Sequence, residues 1–182
     1  MAQAPVLYDF DIALSHVERA IDARLQLRTA RHPSETMERV WLRVLARCLF
    51  HEERLEFGPG LGDPDAPDLE TRDYTNRLTR WIRVGKADPL KVQRAVDQNS
   101  GASIAVLFES PARMEAFLTE ARELKASRLA RVELLAIDAD LLKELSSDEG
   151  RRTKASLTLV GDHAYVDRGG KSCDGPVTRG TF

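Results

Sequence analysis

Apolar and polar residues alternate near the start of the chain in two separate runs. The first run has apolar or aromatic side chains at every second position, at Val6, Tyr8, Phe10, Ile12 and Leu14. The second run repeats this spacing at Ile21, Ala23, Leu25, Leu27 and Thr29. Because successive side chains of a strand point to opposite faces, a period of two predicts a strand with one buried face. The two runs lie close together and predict an antiparallel pair.

A helical pattern follows these two strands. Apolar side chains recur at three- and four-residue spacing, at Met37, Val40, Trp41, Val44, Leu45, Cys48 and Leu49. This spacing places them on one face of an α-helix, so Trp41 is expected in the core and Cys48 as a buried, reduced thiol. Ser34 follows Pro33 directly and is the predicted N-cap. Glu35 and Glu38 would then lie in the first turn, where the helix dipole favours negative charge.

Strand-like and helix-like segments alternate through the rest of the chain. Strands are predicted at residues 78–84, 104–108 and 132–137, with a hairpin of 157–160 and 164–166 around Gly161-Asp162. Helices are predicted to begin at Asp88-Pro89, at Ser110-Pro111 and at Asp138. The continuous apolar run 104–108 is typical of a strand covered on both faces. Alternation of this kind predicts parallel strands joined by helices.

These elements predict an α/β (α+β) fold in which a mixed β-sheet is flanked by helices. A single domain is expected over residues 1–167. Residues 168–182 are rich in glycine and polar side chains, which predicts a loose C-terminal tail. The segment 58–68 is rich in Gly, Pro and Asp and predicts a loop. Its acids Asp63, Asp65 and Asp68 are expected to be solvated, or alternatively to bind a cation.

Composition narrows the range of functions. The chain has 182 residues, a net charge of -2, 42% hydrophobic and 31% charged residues, which is typical of a globular domain. No apolar run approaches the ~18 residues that span a bilayer, and no secretory signal is visible, so a cytoplasmic protein without membrane contact is expected. Cys48 and Cys173 are too few for a disulfide framework or a zinc site. Glycine-rich phosphate-binding motifs and the GxSxG motif are absent from the sequence.

The segment at the predicted helix start is distinctive. Residues 29–36 read TARHPSET, and Glu38-Arg39, Arg43 and Leu45-Ala46 follow. This pattern resembles the signature of the YaeQ family of small bacterial proteins. Further similarity lies in residues 53–57, in Gly60-Leu61, in Trp81-Ile82 and in Val84-Gly85. The resemblance covers nearly the whole chain and is strongest from about residue 29 to residue 95.

The resemblance implies a restriction-endonuclease-like core of the PD-(D/E)XK superfamily, whose enzymes hydrolyse phosphodiesters. In such enzymes carboxylates hold Mg²⁺, since Mg²⁺ prefers hard oxygen ligands, and the metal generates hydroxide and stabilises the leaving oxygen. Glu35, Glu38 and Asp65 are therefore the candidate catalytic residues. Glu38 and Asp65 would be the metal ligands of an active site, with Lys86 or Lys91 as the assisting lysine.

Two departures from the family pattern argue against catalysis. Arg83 follows Trp81-Ile82 at a position where the family has Glu or Asp. Ala66 precedes Pro67 where family members tend to have Glu. A guanidinium has no lone pair to offer Mg²⁺ and repels the cation. The resemblance thus implies a degenerate site that is inactive or weakly active.

Basic residues are concentrated near the predicted site. Residues 77–94 contain six Lys or Arg side chains and one acid, Asp88. Arg80, Arg83, Lys86 and Lys91 are the candidate nucleic-acid contacts, because basic side chains neutralise the phosphate backbone. A solvated charged surface is the alternative interpretation of this cluster.

Four single residues each have a functional and a structural interpretation. His32 could act as a general base near neutral pH, or could hold the turn before the helix. Trp81 could stack on a base, although a tryptophan on a half-buried strand more often belongs to the core. Glu35 and Glu38 could be metal ligands, or could stabilise the helix start through its dipole and through ion pairs.

Three functions remain open from the sequence. The leading hypothesis is a non-catalytic or weakly active nuclease relative that acts as a binding module, with nucleic acid as the candidate ligand. The second is an active Mg²⁺-dependent nuclease that uses Glu35, Glu38 and Asp65. The third is an interaction scaffold with an unknown protein partner, for which a large exposed apolar patch would be expected.

Overall fold

Ten strands and four α-helices make up the described part of the chain. The computed structural model describes residues 4–59, 63 and 65–182. The strands are β1 (Val6–His16), β2 (Ile21–Arg31), β3 (Glu56–Phe57), β4 (Leu69–Arg72), β5 (Leu78–Val84), β6 (Ser103–Phe108), β7 (Glu133–Ile137), β8 (Arg152–Val160), β9 (His163–Arg168) and β10 (Lys171–Gly180). The helices are α1 (Met37–Leu49), α2 (Pro89–Gln98), α3 (Pro111–Glu123) and α4 (Ala139–Ser146).

All ten described strands form one mixed sheet in the order β2-β1-β8-β9-β10-β7-β6-β5-β4-β3. Strands β1 and β2 pair antiparallel along their full length, as predicted. The central strands β5, β6 and β7 are parallel to one another, and β1 is parallel to β8. The helices between the central strands supply the crossovers that parallel pairing requires. The mixed sheet flanked by helices is confirmed.

The helices cover the sheet in two layers. Side chains of α1 and α4 form one apolar cluster with residues from most of the strands, including Ala105 and Leu107 of β6. Side chains of α2 and α3 form a second cluster with Ile104, Val106 and Phe108. Because alternate residues of β6 enter opposite clusters, this strand is buried on both faces, which confirms the interpretation of its continuous apolar run.

Helix α1 begins later than the sequence predicted. Its N-cap is Thr36, whose hydroxyl accepts the backbone N–H of Arg39 at 3.3 Å. The predicted cap, Ser34, lies two residues earlier, so Glu35 precedes the helix instead of lying in its first turn. Three other predicted starts are confirmed, with caps at Asp88, Ser110 and Asp138.

The expected loose tail at residues 168–182 is wrong. Strand β10 pairs antiparallel with both β9 and β7 and lies inside the sheet. Its glycines serve close packing: a Cβ on Gly175 would lie 2.8 Å from the Cβ of Asp138, and one on Gly180 would lie 2.6 Å from the sulfur of Met114. Gly175 and Gly180 therefore reflect close approach of neighbouring side chains, while Gly169 and Gly170 have positive φ in the turn between β9 and β10.

The short strands β3 and β4, absent from the sequence prediction, extend the sheet beyond β5. Gly60-Leu61, part of the family resemblance, lies outside the described residues. No helix in the described ranges is long and apolar enough to cross a membrane.

Candidate functional site

Glu35 is the centre of a buried ion-pair network at the start of α1. Its side chain is 2% exposed. Oε1 accepts Arg43 Nε at 3.0 Å and Arg39 Nη1 at 2.9 Å, while Oε2 accepts Arg43 Nη2 at 2.8 Å and the backbone N–H of His32 at 3.2 Å. Arg43 also donates to the hydroxyl of Thr29 at 2.6 Å and to the carbonyl of Ala30 at 2.8 Å. Two-pronged contacts of this kind are the strongest that an arginine makes with a carboxylate.

Asp68 is the second buried acid of this network. It was expected to be solvated with the other loop acids, and the structure overturns that expectation, because the residue is 1% exposed. Its Oδ1 accepts Arg39 Nη2, and its Oδ2 accepts the backbone N–H of Val84 at 2.8 Å. Arg83 Nη1 lies 3.9 Å from the same Oδ2. Arg39 therefore joins Asp68 to Glu35, and Arg83 stands at the edge of the same cluster.

Burial and charge act in opposite directions on the arginines of this network. Burial lowers the pKa of Arg39, but the charge of Asp68 and the hydrogen bonds that Arg39 donates to both acids outweigh burial and raise it overall. The pKa of Arg43 is lowered, because burial outweighs the attraction of Glu35. Both guanidiniums stay protonated at neutral pH, since an arginine does not lose its proton in a protein. The two carboxylates thus face positive charge that is always present.

The donor set does not fit Mg²⁺. Glu38 is exposed on α1, and Asp65 is exposed and lies 3.0 Å from Lys91 Nζ, which lowers the pKa of the Asp65 carboxyl. The oxygens of Glu35 and Asp68 are occupied by arginine and backbone donors. Among the residues that the structure describes, no group of three His, Cys, Asp or Glu side chains could hold a metal ion. The half-buried Ala66 offers no ligand.

A cleft of about 620 Å³ lies beside the network at the carboxyl end of β5. Its charged lining residues are Arg39, Asp63, Arg83, Lys86, Asp88, Lys91 and Glu120. Arg39 comes from the first turn of α1, Arg83 from the end of β5, and Lys86 and Lys91 from the connection to α2 and its first turn. Asp88 is engaged as the cap of α2, where it accepts the N–H groups of Leu90 and Lys91.

Comparison with known proteins places the chain in a family. The family model described as YaeQ protein matches residues 1–176. The chain belongs to the YaeQ family. It is 30% identical over 161 residues to the uncharacterized protein YaeQ of Salmonella typhi, covering 87% of this chain and 86% of that protein. The Escherichia coli K12 protein of the same description is 29% identical with the same coverage.

Two solved YaeQ structures share the fold. The crystal structure of YaeQ protein from Xanthomonas axonopodis pv. citri superposes with a TM-score of 0.87 at 26% identity, covering 97% of this chain and 98% of that chain. The structure of YaeQ protein from Pseudomonas syringae gives a TM-score of 0.85 at 25% identity, covering 100% and 98%. The sequence resemblance to the YaeQ family is confirmed.

The predicted nucleic-acid contacts of this YaeQ-family chain fall into two groups. Arg83, Lys86 and Lys91 line the cleft together. Arg80 does not join them: its Nε donates to Glu52 Oε2 at 3.0 Å, and its guanidinium lies 5.8 Å from the ring centroid of Phe50. Residues 80 and 83 are an odd number of positions apart on β5, so their side chains leave opposite faces of the sheet.

His32, Trp81 and Cys48 contribute to the structure around the site. His32 Nδ1 lies 2.7 Å from the hydroxyl of Ser34 and accepts its backbone N–H at 3.2 Å, which holds the turn before α1. Trp81 is 4% exposed and packs against α2 and α3, so it belongs to the core. Cys48 is buried, and burial raises the pKa of its thiol to about 12, which keeps it protonated.

Proposed function

We propose that this protein is a nucleic-acid-binding module that does not hydrolyse phosphodiesters. In this proposal the core is restriction-endonuclease-like and its metal site is degenerate. The observation that carries the proposal is the bridge formed by Arg39 between Glu35 and Asp68, at the wall of a cleft lined by four cationic and three acidic side chains. Glu35 and Asp68 could have held a metal ion. Instead they orient the guanidinium of Arg39, which lines the cleft.

Preorganisation of the cations supports binding of phosphate. The side chains of Arg39 and Arg83 are only 19% and 13% exposed, and both contact the buried Asp68. A guanidinium held by a buried acid loses little conformational entropy when its remaining N–H groups donate to a phosphate oxygen. Lys86 and Lys91 are exposed at the rim of the cleft and add positive charge, that of Lys91 shared with Asp65.

The cleft favours contacts to the backbone of a nucleic acid over contacts to its bases. Its cationic side chains match phosphates, which occur in every sequence. Trp81 lies in the wall but is buried, so its ring is not a stacking platform for a base. We therefore expect binding that tolerates changes of sequence and weakens steeply as salt concentration rises.

A charge-reversal experiment tests the binding site. Fluorescence anisotropy with labelled single-stranded DNA, duplex DNA and RNA gives the affinity of the wild type, of Lys86→Glu and of Lys143→Glu. Lys143 is a matched control, because it is exposed on α4, which packs on the other face of the sheet from α2. Lys86→Glu should weaken binding and reduce the slope of log K against log salt by at least about one, because it removes one phosphate contact and adds a repelling charge. Equal effects of the two variants, or no binding of any probe by the wild type, would contradict the proposal.

A further inference from the structure

Strand β2 forms one end of the sheet, and one of its edges has no strand partner among the described residues. It pairs with β1 through eleven consecutive residue pairs without a bulge, from Val6–Arg31 to His16–Ile21. No other described strand pairs with β2. Long edge strands are usually protected by a proline, a bulge, charged side chains or a covering loop, because their free N–H and C=O groups can pair with another chain. Strand β2 contains neither a proline nor a bulge.

The side chains of β2 leave this edge accessible. On the exposed face of the sheet, Arg24 donates to Asp11 at 2.8 and 2.6 Å, and Arg28 donates to Asp9 at 2.6 Å. Arg24 therefore reaches back over β1 through two bonds, whereas Arg28 is tied to Asp9 only through its Nε. On the opposite face Leu25 is buried, while its neighbours Ala23 and Leu27 are partly exposed along the edge.

The sequence of β2 is complementary to itself in one antiparallel register. If Leu25 lies opposite Leu25 of a second copy, Asp22 lies opposite Arg28 of that copy, and this pair occurs twice. Centring the pairing on Gln26 would place Arg24 opposite Arg28, and centring it on Arg24 would place two arginines directly opposite. Centring it on Leu27 would leave Asp22 beyond the end of the other strand. Opposite charges in directly opposed positions stabilise a strand pair, and like charges destabilise it.

The rest of this register is also favourable. Ala23 lies opposite Leu27 of the second copy. Each of these partly exposed apolar side chains therefore gains an apolar neighbour across the new strand pair. In the described part of the chain, Arg28 bonds to Asp9 through Nε, which leaves its terminal nitrogens for a second acid. Arg28 would then lie between Asp9 of its own chain and Asp22 of the other.

We propose that two copies of this chain pair through β2, antiparallel about a two-fold axis at Leu25. The pairing doubles the ten-stranded sheet into one continuous sheet and is isologous, so it closes at a dimer. The interaction does not depend on the proposed nucleic-acid function, because the cleft lies at β5, separated from β2 by six strands in the sheet order.

Two charge reversals test the register. In sedimentation velocity the wild type should form dimers as its concentration rises. Asp22→Arg places arginine opposite arginine twice, and Arg28→Glu places acid opposite acid twice, so each variant alone should dimerise about tenfold more weakly. An equimolar mixture of the two variants restores both opposite-charge pairs and should recover the dimer. Asp167→Arg, an exposed acid on β9, is the control and should dimerise like the wild type.

The outcomes separate pairing through β2 from a folding defect and from association through another surface. Circular dichroism spectra and melting curves of each variant check that the fold is retained. Recovery of the dimer in the mixture, with weak association of each variant alone, supports the proposal, since a folding defect would not be repaired by mixing. A wild type that stays monomeric up to its highest soluble concentration overturns it. A dimer that neither reversal weakens overturns it equally.

Discussion

Glu35 and Asp68 come from different segments of the chain and accept hydrogen bonds from the same guanidinium, that of Arg39. Two buried acids brought together in this way would repel each other without a cation between them. Here an arginine side chain supplies that positive charge permanently. The carboxylates are therefore positioning groups for Arg39, and the cleft that Arg39 lines gains a fixed cation.

Loss of Arg43 should destabilise the protein strongly. Arg43→Ala leaves Glu35 buried without its two-pronged partner, and removal of one member of a buried ion pair costs about 3–5 kcal/mol. Urea unfolding should show this loss in the free energy of unfolding. Arg113→Ala is the control, because this exposed side chain should change stability by no more than about 0.5 kcal/mol. Similar effects of the two substitutions would refute the structural role of the network.

Arg80 should be dispensable for nucleic-acid binding. Its guanidinium is paired with Glu52 on the face of the sheet opposite to Arg83. Arg80→Gln should therefore leave both the affinity and its salt dependence close to those of the wild type. Lys86→Gln should reduce the salt slope by about one. Anisotropy titrations at several salt concentrations check this, and a larger effect of Arg80→Gln would move the binding surface away from the cleft.

Gly175 should not tolerate even a methyl group. A Cβ at this position would meet the Cβ of Asp138 at 2.8 Å and that of Leu141 at 3.1 Å, so the start of α4 would have to shift. Overpacking of this kind costs about 1–3 kcal/mol. Gly101→Ala is a suitable control, since nothing lies within 4 Å of the added carbon. Thermal melting of both variants measures the difference, and equal melting temperatures would contradict the packing of β10 against α4.

Stability should decrease when the pH falls below about 6.5. Burial, followed by nearby arginines, lowers the pKa of His16 and of His51 below their ordinary value of 6.5. Between the folded and unfolded pKa values the unfolded state binds more protons, so the free energy of unfolding decreases as the pH is lowered through this window. Asp9 and Asp11 also have lowered pKa values, but from an ordinary value of 3.8, so their effect appears only at lower pH.

Urea midpoints measured from pH 7.5 down to pH 5 check this prediction. The double variant His16→Asn with His51→Asn should show a flatter dependence than the wild type over the same window. If the double variant shows the same pH dependence of stability as the wild type, groups other than His16 and His51 are responsible for it.

Sequence periodicity predicted most of the fold because burial in this protein follows short, regular patterns. The alternation in β1 and β2 and the apolar run of β6 each depend on their own residues. Strand β10 was missed because its polar and glycine residues are explained only by its neighbours: Asp138 and Leu141 lie against Gly175. No local pattern carries that information.

The candidate site was predicted less well for the same reason. Asp68 stands in an acid-rich loop sequence, and its burial depends on the N–H of Val84 and on Arg39, which are distant in the chain. The alternation of side chains along β5 puts Arg80 and Arg83 on opposite faces, and it is the one local signal that could have divided the basic cluster. Glu35 lies before α1 because the N-cap of the helix is Thr36 and not Ser34.

Binding of nucleic acid without hydrolysis is the central claim, and one gel experiment tests it most directly. Purified protein is incubated with labelled single-stranded DNA, duplex DNA and RNA in Mg²⁺, in Mn²⁺ and in EDTA, then run on native and denaturing gels. We predict a shift on the native gel that does not need metal, with intact probe on the denaturing gel. Cleavage that requires metal and disappears in Glu38→Ala or Glu35→Gln would contradict this claim and establish a metal-dependent nuclease.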